Sequence, residues 1–131
     1  MIIRLALILL GILHIVNGGW MLLAPDAWYA AVPGVSMTGP INHHFIADVG
    51  LAFLASGVGL ACGARPGPAA AAFAIAGATW PALHALLHIS GWIEHGFPMR
   101  ADIAVSEVVG VVLVGALGAI AAWARAKEGV T

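Results

Sequence analysis

The chain has 131 residues, is 62% hydrophobic and 8% charged, has a mean hydropathy of +1.02 and a formal net charge of −1. Soluble domains carry about 25% charged residues, so the polar side chains here are too few to clothe a water-exposed surface. The absence of a basic run argues against nucleic acid as a partner, and a single cysteine, Cys62, excludes an internal disulfide and any CxxC redox or zinc motif.

Lipid is therefore the expected outer solvent. Only helices and closed barrels pair all their backbone groups internally in a bilayer, and long unbroken apolar runs favour helices over the short alternating segments of a barrel. The sequence predicts an all-α, integral membrane four-helix bundle forming one domain over residues 1–131. The first span covers residues 2–23. It begins like a signal peptide, with Arg4 before an apolar stretch, but that stretch continues past His14 to Trp20 and Pro25 follows Ala24, so it reads as a retained anchor. Residues 24–40 hold Trp28, Tyr29 and three prolines, which suits a short interfacial helix. The second span covers residues 41–63, with Asn42 placed as its cap. A tight turn at 64–67 leads to a third span over 68–90, where Trp80-Pro81 predicts a kink just before His84. Residues 91–100 carry Trp92, Glu94, His95 and Pro98, and a fourth span covers 101–123. Trp20, Trp28, Tyr29 and Trp92 fall at headgroup level, as interfacial anchors do.

Four of the five basic residues, Arg4, Arg65, Arg125 and Lys127, share the side that holds both termini and the 64–67 turn. The positive-inside rule places that side in the cytoplasm of an inner membrane, with segments 24–40 and 91–100 in the periplasm. All six histidines and five of the six carboxylates then lie in the outer half. At 1.5 Å per residue, His44, His88 and Asp102 lie within about 5 Å of the outer boundary, Asp48, His84 and Glu107 about 9–11 Å below it, and His14 about 13–14 Å below. His44 with Asp48, and His84 with His88, are i, i+4 pairs that share a helix face. Asp102 reads as a first-turn acid favoured by the helix dipole, and Arg100 is placed to reach Asp48 or Glu107. In the other half, Ala55, Gly59 and Gly63, then Ala70, Ala74 and Ala78, then Gly115 and Ala119 recur every fourth residue, a spacing that lets helices approach closely in lipid. The expected shape is a cup, sealed at the termini end and open at the histidine end.

Ionisable groups inside a span are costly and mark functional sites. Neutral imidazole and carboxylate suit iron, copper or zinc, and the predicted site is a transition-metal centre formed by His44, Asp48, His84 and His88, with His14 and Glu107 assisting. A redox-active metal would make the protein a membrane oxidoreductase working with a quinone or a periplasmic redox partner; with zinc the chemistry would be hydrolytic. The signal lies in the convergence on one end of four spans, because HxxxH is weak by itself, HExxH is absent and the ExxH motif of di-iron bundles is absent. One alternative is a non-catalytic accessory or assembly subunit whose polar groups join helices within a homo-oligomer or larger membrane complex. Another is a b-type haem held by His14 with His44 or His84, which requires a wide apolar slot. No inverted repeat supports a carrier.

The stretch Gly39-Pro40-Ile41-Asn42-His43-His44-Phe45-Ile46-Ala47-Asp48-Val49-Gly50, with Leu13-His14-x-x-Asn17-Gly18 and Ala24-Pro25 before it, resembles small four-helix bacterial inner-membrane proteins. The resemblance covers roughly the first half and implies the fold and the membrane, with no activity or residue roles attached.

Overall fold

A computed structural model describes residues 1–128. Its helices are α1 (Ile2–Leu23), α2 (Pro25–Ala31), α3 (His43–Gly63), α4 (Ala70–His95) and α5 (Ala101–Glu128). All except α2 are long and apolar enough to cross a membrane, and no strand occurs among the described residues. The architecture is an all-α bundle of a multi-pass membrane protein.

The helix ends follow local chemistry. The Asn42 side chain accepts a hydrogen bond from the Phe45 amide at 3.0 Å and starts α3 at His43, satisfying an amide that the helix itself leaves unpaired. Residues 25–31 form the expected short helix, with Pro25 in its first turn. The third span runs five residues beyond its expected end at Ser90: Gly91 continues the helix, and Gly96 ends it at φ 90°, a conformation open to glycine. The fourth span continues past Trp123 to Glu128 and changes character on the way, with residues Ser106–Leu113 forming a π-helix.

Packing runs around a ring, α1 on α3, α3 on α4, α4 on α5, and α5 back to α1. Glycine sets the closest approaches. A Cβ on Gly57 would stand 2.7 Å from the Gly11 carbonyl oxygen, and one on Gly18 would stand 2.5 Å from the Gly50 carbonyl oxygen, so the two glycine pairs fix the α1–α3 seam. Gly59 packs against Gly77 and Gly63 against Ala74, as the small-residue spacing predicts, and Ala70, Ala74 and Ala78 are buried. Ala55 departs from that expectation. It lies at the surface, and its neighbours Ser56 and Gly57 take the packed face. At the termini end Leu7, Leu10, Leu60, Ala64, Ala121 and Ala122 close the core.

Arg125 locks the same end. It is 6% exposed; Nε donates to the Gly63 carbonyl at 3.0 Å, Nη2 to the Arg65 carbonyl at 3.1 Å, and Nη1 to Glu128 Oε2 at 3.1 Å. The last carbonyls of a helix have no partner within it, and here a guanidinium from α5 supplies one at the end of α3.

The closing contact between α1 and α5 is confined to this half. α1 packs on Val114–Glu128 but makes no substantial contact with residues 101–113. The two helices part toward the histidine end.

Candidate binding site

That parting leaves a cavity of about 770 Å³ inside the bundle. α1 contributes Leu13, His14, Asn17 and Met21; α3 contributes Phe45, Ile46, Val49 and Phe53; α4 contributes Trp80, His84, Leu87 and His88; α5 contributes Ser106, Glu107, Gly110, Val111 and Val114. Residues of the 28–40 segment line it at the loop end. This strap is tied at several points. Trp28 Nε1 donates to Asn17 Oδ1 at 3.1 Å, the Tyr29 hydroxyl donates to the Gly39 carbonyl, and Gly34 rests against Ile103 at the start of α5. The expected open cup is therefore strapped at its mouth and parted at its side.

His14 is the most deeply buried polar group on the cavity wall, at 2% exposure. Its Nδ1 lies 2.8 Å from the Leu10 carbonyl oxygen. A carbonyl only accepts, so Nδ1 carries the proton and Nε2 of the neutral ring keeps a bare lone pair. Nε2 is buried with no hydrogen-bond partner, and the ring borders both the main cavity and a recess of about 10 Å³ that it shares with Phe53, Pro81, His84 and Val111. The Trp80 indole Nε1 on the opposite wall is likewise buried and unpartnered. Buried polar atoms are nearly always satisfied; these two exceptions lie within the wall, with no accessible surface of their own.

A second polar group sits nearer the loop end. Glu107 Oε2 accepts from Trp92 Nε1 at 2.5 Å and lies 3.5 Å from His88 Nδ1. The His88 ring meets His84 edge-on at 4.9 Å between centroids, and His84 stacks on Trp80 at 5.5 Å and 10°. Phe53 joins the aromatic wall, touching His14, Trp80 and His84. The π-helix places Glu107, Gly110 and Val111 along one side of the cavity; π segments concentrate at functional sites.

His14, His84, His88 and Glu107 thus border one cavity, and two other expected ligands do not. His44 and Asp48 pair with each other at 3.4 Å, with side chains 89% and 59% exposed. The reason is helical phase. At 100° per residue they stand roughly 160° from the buried stripe of Ile46, Gly50 and Gly57 on the same helix. They share a face as expected, and it is the outer one. Arg100 also departs from its expected role, because it reaches neither Asp48 nor Glu107 and instead binds Asp102 at 2.7 Å. That carboxylate, bonded to the guanidinium, holds the Arg100 pKa above its usual value. His43 pairs with Asp26 at 3.1 Å and His95 with Glu94 at 3.7 Å, both at the surface. Among the described residues no three His, Cys, Asp or Glu side chains gather closely enough to hold one metal ion.

Sequence reasoning passed over Trp80, Phe53 and Gly110 as site residues, and it gave Trp92 an anchoring role only. No protein-family model, curated protein or solved structure matches the chain, so the site is read from its geometry.

Proposed function

We propose that this protein binds a lipid-soluble small molecule in the cavity between its four spans, with the molecule's polar head against His14, Trp80 and the His84–His88–Glu107 wall. The observation that carries the reading is the cavity of about 770 Å³ itself, walled by apolar and aromatic side chains with His14, His84, His88 and Glu107 among its few polar lining residues. Binding pockets for small molecules typically measure about 300–1,000 Å³ and combine apolar and aromatic walls with a few polar groups. The parting between α1 and residues 101–113 supports entry from the bilayer side, and the strap at the mouth supports retention. On this reading the loop end faces the periplasm and the termini face the cytoplasm of an inner membrane, as the distribution of basic residues favours.

Gly110 provides the test. It lines the cavity, and a Cβ there would meet nothing within 4 Å, so a larger side chain can start from Gly110 without a backbone clash, and Gly110→Phe is the variant chosen to fill the cavity. Native mass spectrometry of the detergent-purified protein is expected to show a retained small-molecule adduct, with occupancy at least about tenfold lower in Gly110→Phe, a loss of about 1.4 kcal/mol or more. A wild-type chain without adduct, or equal occupancy in the variant, contradicts the proposal.

A second reading has its own observation. Imidazoles that bind metals usually donate their other ring N–H to a carbonyl or carboxylate, and His14 donates Nδ1–H to Leu10. With His44 and Asp48 on the outer face, a transition metal here would need few protein donors, and haem iron needs only one or two. A Soret band with stoichiometric iron in the same preparation would assign the cavity to haem. Redox or accessory roles in a larger membrane complex would follow from the identity of the occupant.

A further inference from the structure

We infer that the cavity takes an amphiphile with a cationic nitrogen head, bound with its charge beside Glu107. This rests on the cavity being a ligand site and names the class of ligand that its charge and its rings fit. Among the described residues Glu107 is the sole acid lining the cavity, and no lysine or arginine lines it. The Glu107 side chain keeps 22% of its surface accessible and that of His88 keeps 27%, so this part of the wall is open to an occupant. The contacts to Glu107 both fall on Oε2, from Trp92 Nε1 at 2.5 Å and from His88 Nδ1 at 3.5 Å, and Oε1 has no hydrogen-bond partner among the described residues. Neither of those partners carries a permanent charge. Arg100, the basic residue at this end of the bundle, is held by Asp102 at 2.7 Å. A carboxylate inside a span is costly unless its charge is compensated, and a cation in the cavity compensates it from the open side.

The rings of the cavity suit the same head. Trp28, Tyr29, Phe53 and Trp80 line it, each partly exposed, and an aromatic face attracts a cation, most strongly where water is excluded. Trp28 and Tyr29 belong to the strap, tied by Asn17 and by the Gly39 carbonyl, and Glu107 lies at the start of the π-helix, toward the same loop end. An anionic head would meet Glu107 with no compensating cation, and a neutral head gains nothing from the carboxylate's charge. The opening at the side of the bundle, between α1 and residues 101–113, suits a head that carries a hydrocarbon tail remaining in the bilayer.

The test uses the purified full chain in nanodiscs of digalactosyl diacylglycerol, an uncharged bilayer lipid. Three decyl amphiphiles are compared by equilibrium dialysis, with uptake by empty nanodiscs subtracted: cationic decyltrimethylammonium, neutral decyldimethylphosphine oxide and anionic decyl sulfate. The cation is expected to bind at least about tenfold more tightly than the neutral ligand, as one desolvated charge or cation–π contact predicts, and the sulfate most weakly. Glu107→Gln keeps an acceptor for Trp92 and removes the charge, and is expected to shrink the preference to within about threefold while keeping the neutral affinity. Gly110→Phe is expected to lower cation binding at least about tenfold, which places the bound cation in the cavity. Where Glu107→Gln does not fold, the wild-type ranking and Gly110→Phe decide the question. Equal or reversed affinities, a preference unchanged in folded Glu107→Gln, or cation binding unchanged in Gly110→Phe would overturn the inference. If the three heads bind alike and Gly110→Phe blocks them all, the cavity stands as a site and the charge assignment fails. If none binds, the charge assignment fails here as well, and the adduct measurement decides the cavity separately.

Discussion

Gly57→Leu is expected to abolish the folded bundle, while Gly19→Leu leaves it intact. Both glycines lie in apolar spans, and their surroundings are opposite. A Cβ at Gly57 would stand 2.7 Å from the Gly11 carbonyl oxygen, 2.7 Å from Ile15 Cγ1 and 2.9 Å from the Ile15 amide nitrogen. Two of those atoms are backbone, so no rotamer change relieves the clash, and α1 must move away from α3. Helices in lipid associate through close packing without a hydrophobic force between them. A separation at Gly57 also lifts Gly11, Gly18 and Gly50 out of contact, because all four lie on one seam. Overpacking a core costs about 1–3 kcal/mol where side chains can adjust; against rigid backbone the expected cost reaches or exceeds the upper end. A Cβ at Gly19 meets nothing within 4 Å. Size-exclusion profiles and thermal unfolding in detergent should show a monodisperse, cooperative Gly19→Leu protein and an aggregated or non-cooperative Gly57→Leu protein. Matching profiles for the two variants would show that the α1–α3 seam is not as close as described.

Arg125→Ala is the second large effect, expected to lower stability by about 3 kcal/mol or more. Hydrogen bonds from charged groups contribute about 1.5–3 kcal/mol each, and a buried carbonyl left unpaired carries its own penalty. Arg125 makes two such bonds to backbone, at Gly63 and Arg65, and so ties α5 to the end of α3 and to the following turn. Lysine places a single ammonium where the guanidinium fork reaches two carbonyls, so Arg125→Lys should recover only part of the loss. Thermal unfolding of the three proteins under one detergent condition tests this, and equal midpoints for the Ala variant and the wild type would contradict it. The wild-type order Arg > Lys > Ala separates the hydrogen bonds from charge alone, since Lys retains the charge.

Much of the bundle was legible because lipid solvation simplifies the code: four apolar stretches near 20 residues, a cap at Asn42 and a short interfacial segment bearing Trp28 and Tyr29 after Pro25 placed the helices to within about five residues. The over-short third span has a specific cause. Gly91 looks like a helix end, and only the positive φ of Gly96 shows where the turn occurs. The candidate site was half legible. Depth along each helix was sound, and it put His14, His84, His88 and Glu107 in one half. Depth carries no information on direction around the helix. For α3 that direction was available in the glycines: Gly50 and Gly57 mark the packed face, and His44 and Asp48 lie almost opposite. For α1 the same reasoning succeeds, since Gly11, His14 and Gly18 fall on one buried stripe. Spacing could not reveal the π-helix at Ser106–Leu113, because its i→i+5 bonds shift the phase of every side chain after Val105. Nor could it reveal the Trp92–Glu107 bond, which depends on α4 continuing past Gly91. The polar residues left at the surface are paired locally, His43 with Asp26, His44 with Asp48 and Arg100 with Asp102. Polarity at one end of a bundle therefore divides into surface pairs and a much smaller inward-facing set.

The central claim is that the parting of α1 from residues 101–113 of α5 makes a ligand cavity lined by His14, His84, His88 and Glu107. Its most direct test is a crystal structure of the wild-type protein grown from a lipidic mesophase at a resolution that defines bound molecules. Continuous density for an organic molecule between α1 and residues 101–113, with a polar atom against the His84–His88–Glu107 wall, is the predicted result. A bundle in which α1 and α5 pack together along their whole length, with His14 Nε2 bonded to a protein side chain and no space beside Gly110, would contradict it.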